Sequence, residues 1–260
     1  MLNLNEKKDG HIHTPFCPHG TKDCFEQYVY EAIKRGREEM SFTEHFPMPR
    51  GVTSDAYYNE CVIREEQIEE YVEAVRKIKE QFKGQIKINV GFEIDYIEGK
   101  EKEIKALLEK YGDVIEDSLL SIHFVKLGDR YYAIDDLDEF GMLLDKVGSI
   151  ECVYDLYYET LLKSVQSDLG RYKPRRIGHP TLVRIFNQKY PCEYTNDGLL
   201  EEIVQAIKEK DYEVDYNVAG LRKKYCKEVY PTGKMLTLLE YNDIPLVYGT
   251  DAHQSEEIKS

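Results

Sequence analysis

The chain has 260 residues, of which 42% are apolar and 32% charged. Its 21 Tyr and 9 Phe are too many aromatics for a disordered coil, and 49 Asp and Glu against 35 Lys and Arg give a net charge of -14. That balance argues against non-specific nucleic-acid or anionic-membrane binding, but it leaves room for a phosphorylated small substrate where bound metal ions invert the local field.

Strand candidates at 8–13, 39–46, 86–96, 118–125, 175–180, 212–221 and 245–253 alternate with helical patterns. Phe25, Tyr28, Val29, Ala32 and Ile33 recur at helical spacing, so an amphipathic helix is expected over 24–36, closed by Gly36. A long charged helix is expected over 57–84, ending at Gly84. Ile104, Leu107, Leu108 and Tyr111 mark a helix closed by Gly112. A helical region over 138–170 should break near Gly148. Leu199, Leu200, Ile203, Val204 and Ile207 mark another, capped by Asn196 or Asp197, and the last, over 231–243, should open at Pro231.

Seven strands alternating with helices point to an α/β fold, and seven such units can close into a barrel. No linker or repeat interrupts residues 1–260, so one domain is expected. The chain stops a few residues after the seventh strand, so a C-terminal closing helix is expected to be missing. No apolar run approaches the ~20 residues that cross a bilayer. Residues 1–10 are polar, and the six cysteines contain no CxxC pair, so reduced thiols in a cytoplasmic protein are expected.

The histidines carry the functional signal. There are seven: His11, His13, His19, His45, His123, His179 and His253. All fall at or just past the C-terminal end of a strand candidate, where the loops of an α/β barrel converge on the active site. One histidine at a strand end is ordinarily a satisfied polar residue. Seven of seven, with none on a helix, is a ligand pattern, because neutral imidazole suits zinc, iron and manganese. His11-Ile-His13 puts two imidazoles on one side of a strand. Glu93 ends the third strand, and Asp251 lies two residues before His253. These nine ligands are too many for one tetrahedral site and suit two or three ions. Glu44 and Asp95 are weaker ligand candidates, and Cys17 reads better as a buried free thiol than as a soft ligand.

The ordered set His11-Ile-His13, His19, Thr43-Glu-His45, Gly91-Phe-Glu93, Ser121-Ile-His123, Gly178-His-Pro180 and Gly249-Thr-Asp-Ala-His253 resembles the polymerase and histidinol phosphatase (PHP) family of metal-dependent phosphoesterases. Asn217-Val-Ala-Gly-Leu-Arg222, Tyr230-Pro231 and Ser118-Leu-Leu-Ser-Ile-His-Phe124 are most similar to its monofunctional histidinol-phosphatase branch. The resemblance implies a distorted (β/α)7 barrel with a trinuclear metal centre at the C-terminal ends of the strands. It implies one ion on His11, His13, Glu93 and Asp251, a second sharing Glu93 with His123 and His179, and a third on His19, His45 and His253. It also implies hydrolysis of L-histidinol phosphate to L-histidinol and phosphate in histidine biosynthesis.

Phosphomonoester hydrolysis also needs a proton for the leaving alkoxide, and Asp251 and His253 are candidates beside metal-bound water. It needs a cationic clamp too, for which Arg184 and Arg222 follow strand ends. Two other readings stand beside the leading one. The first is a phosphoesterase of the same fold acting on a nucleotide or oligonucleotide, which the acidic charge disfavours. The second is a non-catalytic metal-stabilised module. The sequence leaves the oligomeric state open.

Overall fold

The structure is a computed structural model that describes residues 2–259. Eight parallel strands form one sheet in the order β1-β10-β9-β8-β5-β4-β3-β2. These are β1 (Leu4–Asn5), β2 (Lys8–Ile12), β3 (Glu39–His45), β4 (Lys87–Asp95), β5 (Asp117–Ser121), β8 (Arg176–Ile177), β9 (Glu213–Asn217) and β10 (Leu246–Gly249). The two edges meet. Ile12 bridges Ala252, the His13 N–H donates to the Ala252 carbonyl at 2.9 Å, and Asp251 N–H donates to the His11 carbonyl at 2.7 Å. The sheet therefore curls into a nearly closed α/β barrel of seven main strands, and β1 adds two residues beside β10.

Helices cover the outside through their apolar stripes. They are α1 (Phe25–Lys34), α2 (Asp55–Cys61), α3 (Ile68–Gln81), α4 (Glu101–Tyr111), α5 (Leu137–Val147), α6 (Ile150–Gln166), α7 (Asp197–Glu209), α8 (Ala219–Arg222) and α9 (Gly233–Tyr241). In α1 the stripe buries Tyr28, Val29 and Ala32, and in α7 it buries Leu200, Ile203, Val204 and Ile207. The break between α5 and α6 falls at Gly148, whose φ of 85° is left-handed, and the Asn196 side chain caps α7 by accepting from Leu199 N–H. Strand β4 runs so close to β5 and β3 that a Cβ on Gly91 would sit 2.5 Å from the Asp117 carbonyl and 2.8 Å from that of Phe42.

The structure corrects several expected bounds. The helix expected over 57–84 is two helices, because Val62 and Ile63 are drawn into the core and Ile63 N–H donates to the His45 carbonyl at 3.2 Å. The strand expected over 118–125 stops at Ser121, and β6 (Phe124–Leu127) and β7 (Arg130–Ala133) then form an antiparallel hairpin. The strand expected over 212–221 stops at Asn217, whose side-chain oxygen accepts from Ala219 N–H and turns the chain into α8. The last helix opens at Gly233 rather than Pro231, because Tyr230 is held in a bridge to Asn217. The strand expected over 245–253 ends at Gly249. The segment after it is a short 3₁₀ turn, Ser255–Lys259, packed on α1. No described helix is long and apolar enough to cross a membrane.

Candidate metal centre

The ends of β2 and β3 and the loops after β2, β5, β8 and β10 bring the histidines to one end of the barrel. Glu93, at the end of β4 and 2% exposed, is the hub. Its Oε1 lies 2.9 Å from His179 Nε2 and 3.6 Å from His123 Nε2. Its Oε2 lies 3.2 Å from His45 Nδ1, 3.4 Å from His11 Nε2 and 3.5 Å from His13 Nε2. Strand alternation does place His11 and His13 on one side, as expected, and both Nε2 atoms face Glu93. Asp251 Oδ1 closes the group at 3.3 Å from His13 Nε2 and 3.8 Å from His11 Nε2. Asp251 arrives differently from the expectation: it lies past the strand, in a left-handed turn with φ of 50°. His253 Nδ1 is 3.1 Å from the Asp251 carbonyl, and His253 Nε2 is 3.0 Å from His19 Nε2.

Behind these groups stand carboxylates that hold the far side of the rings. Asp215 Oδ2 is 2.8 Å from His11 Nδ1, Asp95 Oδ1 is 2.7 Å from His123 Nδ1, and Glu44 Oε1 is 3.4 Å from His13 Nδ1. Glu44 and Asp95, weighed above as ligands, thus sit behind the histidines. Asp215 was not anticipated. Its signal is the alternation Asp215-Tyr-Asn217 on β9, and the Asn217 amide donates to both Asp215 Oδ2 at 3.0 Å and Asp251 Oδ2 at 3.1 Å.

Burial favours the neutral forms throughout, yet at the hub it is outweighed. His11 and His123 hold the Glu93 carboxyl well below its ordinary range, and His11, His13 and His253 do the same for Asp251. In turn Asp251 and Glu44 hold His13 up at about 9, Asp95 and Glu93 hold His123 up at about 10, and Asp251, Glu93 and Asp215 raise His11. At the rim the sign reverses. Burial, then His45, lowers His19 to about 4, and burial with His13 lowers His253 well below the usual imidazole range. The hub is a negative centre that seeks positive charge, and the rim imidazoles keep their lone pairs.

This donor set fits metal ions. The buried Nε2 atoms of His11, His13 and His45 have no hydrogen-bond partner although each is in a polar cluster. Ligand atoms lie within 4.8 Å of one another in three groups: His11, His13 and Glu93; Glu93, His123 and His179; and His13, Cys17, His45 and His253. The first two groups overlap the first two implied ion sets. The third contains Cys17, fully buried, where the resemblance implies His19.

A cavity of about 400 Å³ opens above the cluster, lined by His19, His45, His123, His179, Asp251 and His253. Arg222 and Lys223 line one wall. Arg222 Nη2 donates to the Thr250 carbonyl at 2.7 Å and the Asp251 carbonyl at 3.2 Å, so it also ties down the loop that carries Asp251. Arg184 is not brought to the site. Its Nε and Nη2 donate to Glu228 at 2.7 and 2.9 Å, and it lines a separate cavity with Asn187 and Cys192. The fork geometry that suits a phosphate is here taken by a carboxylate.

The profile of the PHP domain matches residues 9–219. The chain belongs to the PHP domain family. It is 40% identical to the histidinol-phosphatase of Bacillus subtilis, over 97% of this chain and 96% of that one. It is 27% identical to a probable histidinol-phosphatase of Deinococcus radiodurans, over 96% of this chain and 87% of that one. A solved structure from Listeria monocytogenes, assigned to histidinol phosphatase, superposes with a TM-score of 0.90 at 33% identity, covering 96% of this chain and 97% of that one. A histidinol phosphate phosphatase from Lactococcus lactis, solved with Zn, L-histidinol and phosphate, shares the fold with a TM-score of 0.72 at 22% identity, covering 98% and 90% of the two chains.

Proposed function

We propose that this PHP protein is a histidinol-phosphatase, which hydrolyses L-histidinol phosphate to L-histidinol and inorganic phosphate in histidine biosynthesis. The observation that carries the reading is the 40% identity to the Bacillus subtilis histidinol-phosphatase along 97% of the chain. The arrangement of imidazoles and carboxylates around Glu93 supplies the chemistry such a reaction needs.

The site would hold two to three divalent transition-metal ions, of zinc, iron or manganese. His11, His13, Glu93 and Asp251 would hold one ion, Glu93, His123 and His179 a second, and His19, His45 and His253 a third. The split of Glu93 between His179 on one oxygen and His11 and His13 on the other supports its role as the shared carboxylate. Bound ions would acidify a water toward neutral pH and neutralise the phosphoryl oxygens. Asp215, Asp95 and Glu44 aim the rings of His11, His123 and His13. Arg222, on the wall of the cavity, is placed to orient the phosphate. The proton for the leaving oxygen would come from a water held beside Asp251 and His253, because the Asp251 carboxyl is held well below its ordinary range and the His253 imidazole keeps its lone pair. The acidity of the chain supports a small substrate over a polyanionic nucleic acid.

The test is phosphate release from L-histidinol phosphate, several nucleoside monophosphates and an aryl phosphate under the same metal loading. The reading expects the highest kcat/KM for L-histidinol phosphate. A higher value for a nucleotide would overturn the substrate while leaving a metal-dependent phosphoesterase.

A further inference from the structure

The floor of the cavity is occupied by the ligand set, but one of its walls has no role in holding metal. Asp135 lines that wall, exposed, just after the β6–β7 hairpin. It makes no hydrogen bond or ion pair with any other described residue. Its neighbour Asp136 does the structural work of the segment, accepting from the N–H groups of Asp138 and Glu139 to cap α5. Asp135 is therefore a carboxylate with no task in the fold, facing the cavity.

Two aromatic rings line the same wall. Tyr57, on α2, and Phe124, at the start of β6, meet edge to face at 6.5 Å and 86°. Burial, then the charge of Asp135, pushes up both the Tyr57 phenol and the Cys61 thiol beside it, so the field of this carboxylate reaches across the wall. Tyr57 follows β3, across the barrel from β9, whose following segment carries Arg222 and Lys223, and the hairpin that leads to Asp135 follows β5, separated from β9 by β8. The cavity thus carries Arg222 and Lys223 on one side, with Glu257 Oε1 3.6 Å from Arg222 Nε, the ligand set at its floor, and an unpartnered carboxylate beside two aromatic rings on another side.

L-histidinol phosphate has the complementary order. Its phosphate is followed by a carbon bearing an ammonium group, and then by an imidazole ring. We propose that Asp135 is a specificity-determining residue that accepts a hydrogen bond from the substrate ammonium, while Tyr57 and Phe124 form the face against which the imidazole packs. This rests on the histidinol-phosphatase reading above. A carboxylate without a protein partner, within a cavity wall, gains most from a cationic ligand group and rejects uncharged analogues.

The experiment measures kcat/KM for L-histidinol phosphate and for its des-amino analogue, 3-(imidazol-4-yl)propyl phosphate, in the metal-loaded wild type, Asp135→Asn and Asp135→Glu. Asn keeps the shape and removes the charge. The ratio of the two kcat/KM values should fall roughly ten- to hundredfold in Asp135→Asn, the effect of losing one charged hydrogen bond. The loss should appear mainly in KM for L-histidinol phosphate, metal content should be unchanged, and Asp135→Glu should recover part of the ratio. An unchanged ratio in Asp135→Asn would overturn the proposal, and so would an equal loss on both substrates, which marks a structural role. A wild type that cleaves other phosphomonoesters but not L-histidinol phosphate would overturn the functional reading itself, and the proposal with it.

Discussion

Asp215 holds the Nδ1 edge of His11 at 2.8 Å, and this contact decides which ring nitrogen faces Glu93. The pair is fully buried. With Nδ1–H donated to the carboxylate, Nε2 is the ring nitrogen that faces the cluster and would bind an ion there. Changing Asp215→Asn keeps the volume and removes the charge that orients the ring. Metal affinity or turnover should fall ~10–100-fold, the usual cost of losing such an outer partner. Competition with a chromophoric chelator would measure it, and an unchanged affinity would show that His11 is oriented by the barrel alone.

Glu93→Gln should be harsher. The hub carboxylate faces five imidazoles, and no other residue can replace both of its oxygens. Turnover should drop by more than the ~100-fold limit for an outer partner, and two ions should loosen together. Metal content per chain and kcat, measured on the same sample, check this. Full retention of metal would contradict the shared-ligand role.

Arg222→Ala should lower kcat/KM by about 2–4 kcal/mol of transition-state stabilisation, as for removal of one preorganised donor. Steady-state kinetics beside elemental analysis separate its two tasks. Loss of rate with metal retained supports the clamp. Loss of both would trace instead to its hold on the Asp251 loop.

Inside the barrel, away from the metal cluster, Arg176 is 1% exposed and its Nη2 donates to Asp117 at 2.8 Å. Burial raises the Asp117 carboxyl, but Arg176 and Lys8 outweigh it and hold the group at about 2, below its ordinary 3.8. A depressed folded-state value means the contribution is fully present above about 4 and is lost as pH falls toward 2. Removing one partner of a buried pair costs ~3–5 kcal/mol. Asp117→Asn should therefore be less stable at pH 7 and lose less stability than wild type between pH 4 and 2. Urea unfolding at both ends of that window would show it, and parallel curves for the two proteins would contradict it.

Much of this architecture is legible in the residues. The seven main strands and the helical stripes follow from apolar periodicity, and the ligand histidines follow from their uniform place after strands. The failures have local causes. Two-residue β1 is too short to carry a pattern, and the β6–β7 hairpin was hidden because Phe124 and Val125 continue the apolar run of β5. Val62 and Ile63 look like helical positions until Ile63 is seen tied to His45. Arg184 follows a strand as a clamp would, but which anion it meets depends on Glu228, 44 residues later. Asp215 escaped because the alternation Asp215-Tyr-Asn217 marks two polar residues on one side of a strand but does not separate a ligand's support from a core ion pair.

The most direct test of the central account is phosphate release from L-histidinol phosphate by chelator-stripped protein, before and after reconstitution with zinc, iron or manganese. The account predicts no turnover in the stripped protein and restoration by two to three ions per chain, with kcat/KM above that for nucleoside monophosphates. Undiminished turnover in protein shown by elemental analysis to hold no transition metal would contradict it.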